Sequence, residues 1–289
     1  MTRLLAAVLA AAAVLGCGAS AAAQPAELKH DRFRTEYVEP DDPTHAELYA
    51  ALRDARVLEK FRSFLSFIRL PRILTLRLTS CDGEDNAWYD ADERSITVCY
   101  EYLARVRGIA PAAPTPAGVT PENAFSGPLL EVFLHEIAHA LFDQLRLPIL
   151  GREEDAADQL AALILLHLEP RAARDTVAGV AWMYATDARQ AKVGGAAYAN
   201  VHSLDAQRFY NLLCLAYGAE PELFADVVRD KHLPEDRAEG CRDEYRQVAY
   251  AVRTLMRPYI DLPQRDRMLA REWAGGKMRR RLAGDGRPR

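Results

Sequence analysis

The chain lacks several features that would take it out of the ordinary globular class. Beyond its first residues it has no apolar run of bilayer-spanning length, so no membrane-spanning helix is expected there. It has no internal repeat and no low-complexity tract, and glycine and proline number only 16 each in 289 residues. Collagen-like and wholly disordered chains are thereby excluded. Positive charge is not in surplus. The formal net charge is −4, so a broad basic face for nucleic acid is not expected. The five cysteines include no Cys-x-x-Cys pair, which argues against a zinc site built from thiolates. What is present is 49% hydrophobic and 27% charged residues, sufficient for a sizeable core.

Met1 to Ala23 reads as an export signal. Arg3 gives a positive start, Leu4 to Leu15 is a run of Leu, Ala and Val, and Ala21-Ala22-Ala23 offers small residues before Gln24. A rival reading takes Val14-Leu15-Gly16-Cys17 as a lipobox, with Cys17 carrying a lipid anchor. Leu15 fits that pattern loosely, and simple cleavage near Ala23 is preferred. Either route predicts an exported protein, periplasmic or secreted, with lipid anchoring at the envelope as the alternative. Four cysteines then remain, and an even number in an oxidising compartment favours two bridges over free buried thiols. Of the three possible pairings, closeness along the chain favours Cys81–Cys99 and Cys214–Cys241. At the other end, Arg271 to Arg289 holds seven basic and two acidic residues. The modest net charge is therefore expected to split into an acidic body and a basic tail, disordered over 276–289.

Between these ends one domain is expected over 24–275, with strands to about residue 127 and helices after. Glu27 to Asp42 is polar and reads as poorly ordered. Thr44 to Ile68 has helical spacing in Leu48, Leu52, Val57, Phe61, Phe64 and Leu65, and Pro71 stops it. Ile73 to Cys81 and Ser95 to Tyr100 alternate as strands, with Ala87-Trp88-Tyr89 between them, and are expected to form a twisted antiparallel piece of sheet. Ile109 to Thr120 is a loop. Helices are expected over Leu129 to Leu145, Glu153 to Leu168, Ala173 to Ala185 and Asp205 to Tyr217, the last closed by Gly218 as C-cap. Two more follow, over Glu222 to Asp230 and Arg237 to Met256. Strands first and helices later make the class α+β.

The chemistry concentrates in His135-Glu136-Ile137-Ala138-His139. Residues i and i+4 share a helical face, so the two imidazoles are able to hold one Zn²⁺. Glu136 lies between them, beside the metal, where a general base takes a proton from an attacking water. A catalytic zinc needs a third ligand, and the next helix offers Glu153, Glu154, Asp155 and Asp158. Glu154 faces the same way as Asp158 four residues on. Glu154 is assigned to zinc, and Asp158 to a hydrogen bond with a ligand imidazole. Glu153 and Asp155 read as an ordinary acidic helix start.

This pattern resembles the gluzincin class of zinc metallopeptidases. The stretch His135 to Leu163, with Asn86-Ala87-Trp88-Tyr89, His202 to Arg208 and the two cysteine pairs, is similar to a family of exported bacterial metallopeptidases of unassigned function, the DUF4344-like family. The resemblance covers about 240 residues. It implies a zincin-like fold, with the motif helix at the cleft, and zinc peptidase chemistry with one Zn²⁺ per chain and a peptide or protein as substrate. It also implies that the strand Ser95 to Cys99 is the sheet edge beside the site, where a substrate backbone adds.

Four further residues are candidates for stabilising the oxyanion or touching substrate: His202, Arg208, Tyr210 and Tyr89. His202 and Arg208 resemble the His-x5-Arg element of CAAX-protease-like gluzincins. The plainer readings are a helix-start contact for His202, an ion pair with an acid such as Asp205 for Arg208, and packing for Trp88 and Tyr89. His30, His45, His167 and His232 read as surface or helix-end residues. Two rivals to peptide hydrolysis stand beside it. One is an inactive zincin that binds envelope proteins around a structural zinc. The other is a zinc hydrolase of a non-peptide amide.

Overall fold

The computed structural model describes residues 27–265. The expected export signal, Cys17 and the basic tail lie outside them. Four strands form one mixed sheet: β1 (Phe33–Tyr37), β2 (Leu74–Thr79), β3 (Ala87–Asp90) and β4 (Ser95–Cys99), in the order β1-β2-β4-β3. β1 pairs parallel with β2, β2 pairs parallel with β4, and β3 alone runs antiparallel, against β4. The antiparallel hairpin matches expectation. The parallel half does not: β2 pairs parallel with β4 instead of antiparallel with its chain neighbour β3, and β1 lies in the segment read as poorly ordered. Its alternation Phe-Arg-Thr-Glu-Tyr carries only two apolar side chains, and a neighbouring strand supplies the rest of its stability.

Leu74, Leu76, Leu78, Ile96 and Val98 are fully buried and form the sheet side of the core. The long helix expected after residue 44 is two helices, α1 (Ala46–Asp54) and α2 (Val57–Phe64), separated by Arg56 at φ +53°. The Tyr37 hydroxyl on β1 accepts from the Leu58 backbone N–H at 2.8 Å and donates to Glu59 at 3.0 Å. It thereby serves an otherwise unpaired amide of the first turn of α2. These helices provide the crossover that parallel pairing of β1 and β2 requires. α3 (Tyr100–Ile109) leaves β4 directly.

The motif helix α4 spans Pro121–Gln144 and starts eight residues before the expected Leu129. A reciprocal box sets its start: Thr120 accepts from the Asn123 amide and Asn123 accepts from the Thr120 amide. Pro128 therefore sits inside the helix, where it looked like a boundary. One missing donor is outweighed by packing on every side. α4 lies against β3 and β4, against α5 (Glu153–Leu166) and against α6 (Pro170–Gln190). Glycine lets α4 and α6 cross closely: a Cβ on Gly179 would lie 1.9 Å from the Asn123 carbonyl oxygen. Phe61 of α2 packs on Phe133 of α4 with ring centroids 4.6 Å apart, joining the two halves of the core.

α7 (Gly195–Tyr198), α8 (Asp205–Ala219), α9 (Ala225–Arg229), α10 (Glu235–Ala238) and α11 (Cys241–Met256) complete the helical half. Gly218 is not a C-cap. It lies inside α8, where a Cβ would sit 2.1 Å from the Cys241 carbonyl oxygen, so its role is close helix approach. The sulfurs of Cys81 and Cys99 are 2.00 Å apart and those of Cys214 and Cys241 are 2.01 Å apart, both at disulfide distance. Among the described residues no helix is long and apolar enough to cross a membrane.

Candidate metal centre

His135 and His139 project from one face of α4, one turn apart, while Phe133, Leu134, Ile137, Ala138 and Leu141 bury the others. α5 folds back along this face through a short connection. Within it Gly151 takes φ +108°, a left-handed conformation open to glycine. The return brings the acidic start of α5 onto the imidazoles. Glu154 Oε2 lies 3.1 Å from His135 Nε2 and 3.3 Å from His139 Nε2, and the two nitrogens are 3.2 Å apart. Each nitrogen has one hydrogen or one lone pair there, so at most two edges of this triangle are hydrogen bonds. A cation at the centre engages all three. Donors placed tetrahedrally about 2.0–2.1 Å from a zinc ion stand about 3.3 Å apart, so the spacing fits such an ion.

The outer ring nitrogens are also held. His135 Nδ1 is 2.8 Å from Asp158 Oδ1, and His139 Nδ1 is 2.7 Å from Glu153 Oε1. Arg208 of α8 donates twice to Asp158, at 2.8 and 2.7 Å. Its guanidinium lies over the Tyr184 ring, 4.4 Å from the centroid, and Tyr184 donates to the buried Glu131 at 2.8 Å. Glu131, His135 and Asp158 also group closely enough to hold an ion, but Arg208 already supplies the cation there.

The electrostatics follow from this surplus of acids. Three imidazoles, His135 foremost, hold the Glu154 carboxyl well below the usual carboxylate range. Burial opposes a charge on His135, yet its bonds to Asp158 and Glu154 prevail and push the imidazole up to about 10. Asp158 is half-buried, and Arg208 and His135 outweigh the burial to keep its carboxyl low. Burial pushes Glu136 and Glu131 upward. A pocket that draws protons onto imidazoles in this way draws a divalent cation for the same reason.

Of the four additional candidates, one reaches the centre. His202 Nε2 lies 2.9 Å from Glu154 Oε2, and its ring stacks beside that of His135 at 5.9 Å. His135, Glu154 and His202 form a second combination able to hold an ion. Arg208 points away from the reacting side onto Asp158, not onto Asp205. Tyr89 donates to Asp143 of α4 at 2.7 Å and so ties β3 to the motif helix. Tyr210 is exposed and stacks edge-on against Phe209. The expected edge strand is corrected: β4 is internal, flanked by β2 and β3, so the edge on this side is β3.

Glu153 and Asp155, read as a plain helix start, have partners instead. Glu153 holds His139, and Asp155 accepts from Ser203 at 2.6 Å, which fixes the loop that carries His202. Glu131 and Tyr184 were not foreseen. The one available signal was an acid at i−4 from His135, within an otherwise apolar run.

An α+β chain with a His-Glu-x-x-His helix against an acidic helix, and side chains grouped to hold a metal ion, has the makings of a metallopeptidase. The chain belongs to the DUF4344 family, described as "Putative metallopeptidase", whose model matches residues 37–256. No curated protein and no solved structure matches it.

Proposed function

We propose that the chain is an exported zinc peptidase of gluzincin type. His135, His139 and Glu154 hold the ion, Glu136 is the general base, and Asp158 orients His135. The observation that carries this is the triangle of two imidazole nitrogens and one carboxylate oxygen, with edges of 3.1–3.3 Å. Zinc bound there supplies Lewis-acid polarisation of the scissile carbonyl and acidifies water. Glu136, buried and without a hydrogen bond among the described residues, takes the proton of the attacking water and delivers it to the leaving amine. His202, on the exposed side of the centre 2.9 Å from Glu154, is assigned to the developing oxyanion. The sulfur pairs at bonding distance and the expected signal support export.

The test is a mixed peptide library analysed by mass spectrometry after incubation with wild type and Glu136→Gln, beside elemental analysis of both. Cleavage by wild type alone, with one zinc in each protein, is expected. Mature protein without stoichiometric zinc would overturn the assignment.

A second reading rests on His202. As a fourth ligand it closes the site, and the zinc becomes a structural staple in a binding protein. In that case His202→Ala lowers zinc affinity and thermal stability together. As an oxyanion partner, the same change lowers kcat and leaves zinc in place.

A further inference from the structure

A cavity of about 330 Å³ opens between the end of α6, the loop carrying α7, and the start of α8. It shares His202 with the metal centre, so whatever fills it lies beside the reacting atoms. Its volume is at the low end for ligand sites, suited to one side chain and not to a cofactor. Ala188, Ala191, Val193, Ala197 and Leu204 give it apolar walls. Asp205 adds a half-buried carboxylate that makes no side-chain hydrogen bond or ion pair among the described residues. Burial raises this carboxyl, against the pull of Arg208. Arg208 also lines the cavity, but its Nε and Nη2 are engaged by Asp158 and not by Asp205. An acid in the first turn of α8 suits the helix dipole. The dipole explains neither the cavity beside it nor the missing partner.

We infer that this cavity receives a lysine or arginine side chain of the substrate, its methylenes against the alanine walls and its charged head on Asp205. The inference deepens the peptidase assignment and rests on it. Two experiments test it. First, wild type and Asp205→Asn are compared on peptide sets that differ at single positions. Wild type is expected to prefer a basic residue at one fixed distance from the cut. A charge-assisted bond contributes about 1.5–3 kcal/mol, so Asp205→Asn should lower kcat/KM on basic peptides by about 10–100-fold. Norleucine peptides and zinc content should stay unchanged. Second, arginine amide and norleucine amide are titrated into zinc-loaded Glu136→Gln by calorimetry. Arginine amide should bind, and binding should be lost when Asp205→Asn is added.

Cleavage without basic preference, or a preference that survives Asp205→Asn, overturns the subsite and leaves the peptidase standing. Failure of arginine amide to bind also overturns the subsite. Asp205-dependent binding by a wild-type protein that cleaves no peptide supports the pocket and overturns the peptidase.

Discussion

Asp158→Asn tests the architecture behind the metal centre. Asp158 joins His135 Nδ1, at 2.8 Å, to Arg208, at 2.7 and 2.8 Å. Its side chain is 22% exposed and that of Arg208 16%, so the pair is largely withdrawn from water. Asparagine keeps the size and one acceptor but removes the charge. Stranding one member of a buried pair costs about 3–5 kcal/mol. Glu131 stays 3.7 Å from the Arg208 guanidinium and takes up part of the stranded charge. The lower figure, about 3 kcal/mol, is therefore expected, or roughly 6–12 °C in the unfolding midpoint of zinc-free protein. Loss of the carboxylate behind His135 should also weaken zinc about 10–100-fold in chelator competition. The double change Asp158→Asn with Arg208→Met removes the stranded charge. It should recover part of the stability and none of the zinc affinity. A single variant whose midpoint stays within about 2 °C, with zinc affinity changed less than about 3-fold, would refute the reasoning.

Three further outcomes follow from the same structure. Glu136→Gln should retain one zinc, measured by elemental analysis, and lose about 10²–10⁴-fold in hydrolysis, the range of a general base. Gly218→Ala places a Cβ 2.1 Å from the Cys241 carbonyl oxygen, so α8 and α11 must separate. It should cost about 1–3 kcal/mol by thermal or urea unfolding. His167 accounts for part of an acid sensitivity. Its Nδ1 is 2.6 Å from the Leu163 carbonyl oxygen, and burial holds its imidazole below the ordinary value of 6.5. The unfolded chain then binds the proton more tightly, so stability is full above the unfolded value and falls as pH drops toward the folded one. His167→Gln should flatten that part of the profile in thermal scans between pH 7 and pH 5.

The helical half and the grouping of His135, His139 and Glu154 were legible in the sequence because their signals are local. Apolar residues at helical spacing, His135 and His139 one turn apart, and Glu154 and Asp158 one turn apart each define a face without reference to the rest of the chain. The cysteine pairs were legible because each is close along the chain. Even within helices, however, local signals misplaced the start of α4 at Pro128 and made a C-cap of Gly218. In both places packing against another helix overrides what the residue type signals alone. His167 does end a helix, as its place in the sequence suggests, but burial favours its neutral form over the cation that a helix C-terminus attracts.

What only the tertiary structure decided depends on partners distant in sequence. β1 is a strand because β2 pairs with it, and β3 is the edge because β2 occupies the other side of β4. Arg208 meets Asp158, fifty residues away, where the sequence offered the nearer Asp205. Glu131, Tyr184 and the Asp155–Ser203 bond that fixes the His202 loop share this origin. Periodicity sets which face of an element carries a group. Which other element meets that face is set by the burial of apolar area and by the need of each buried charge for a partner. The clustering of His135, His139 and Glu154 was therefore readable from the chain alone, and the partners that hold them in place were not.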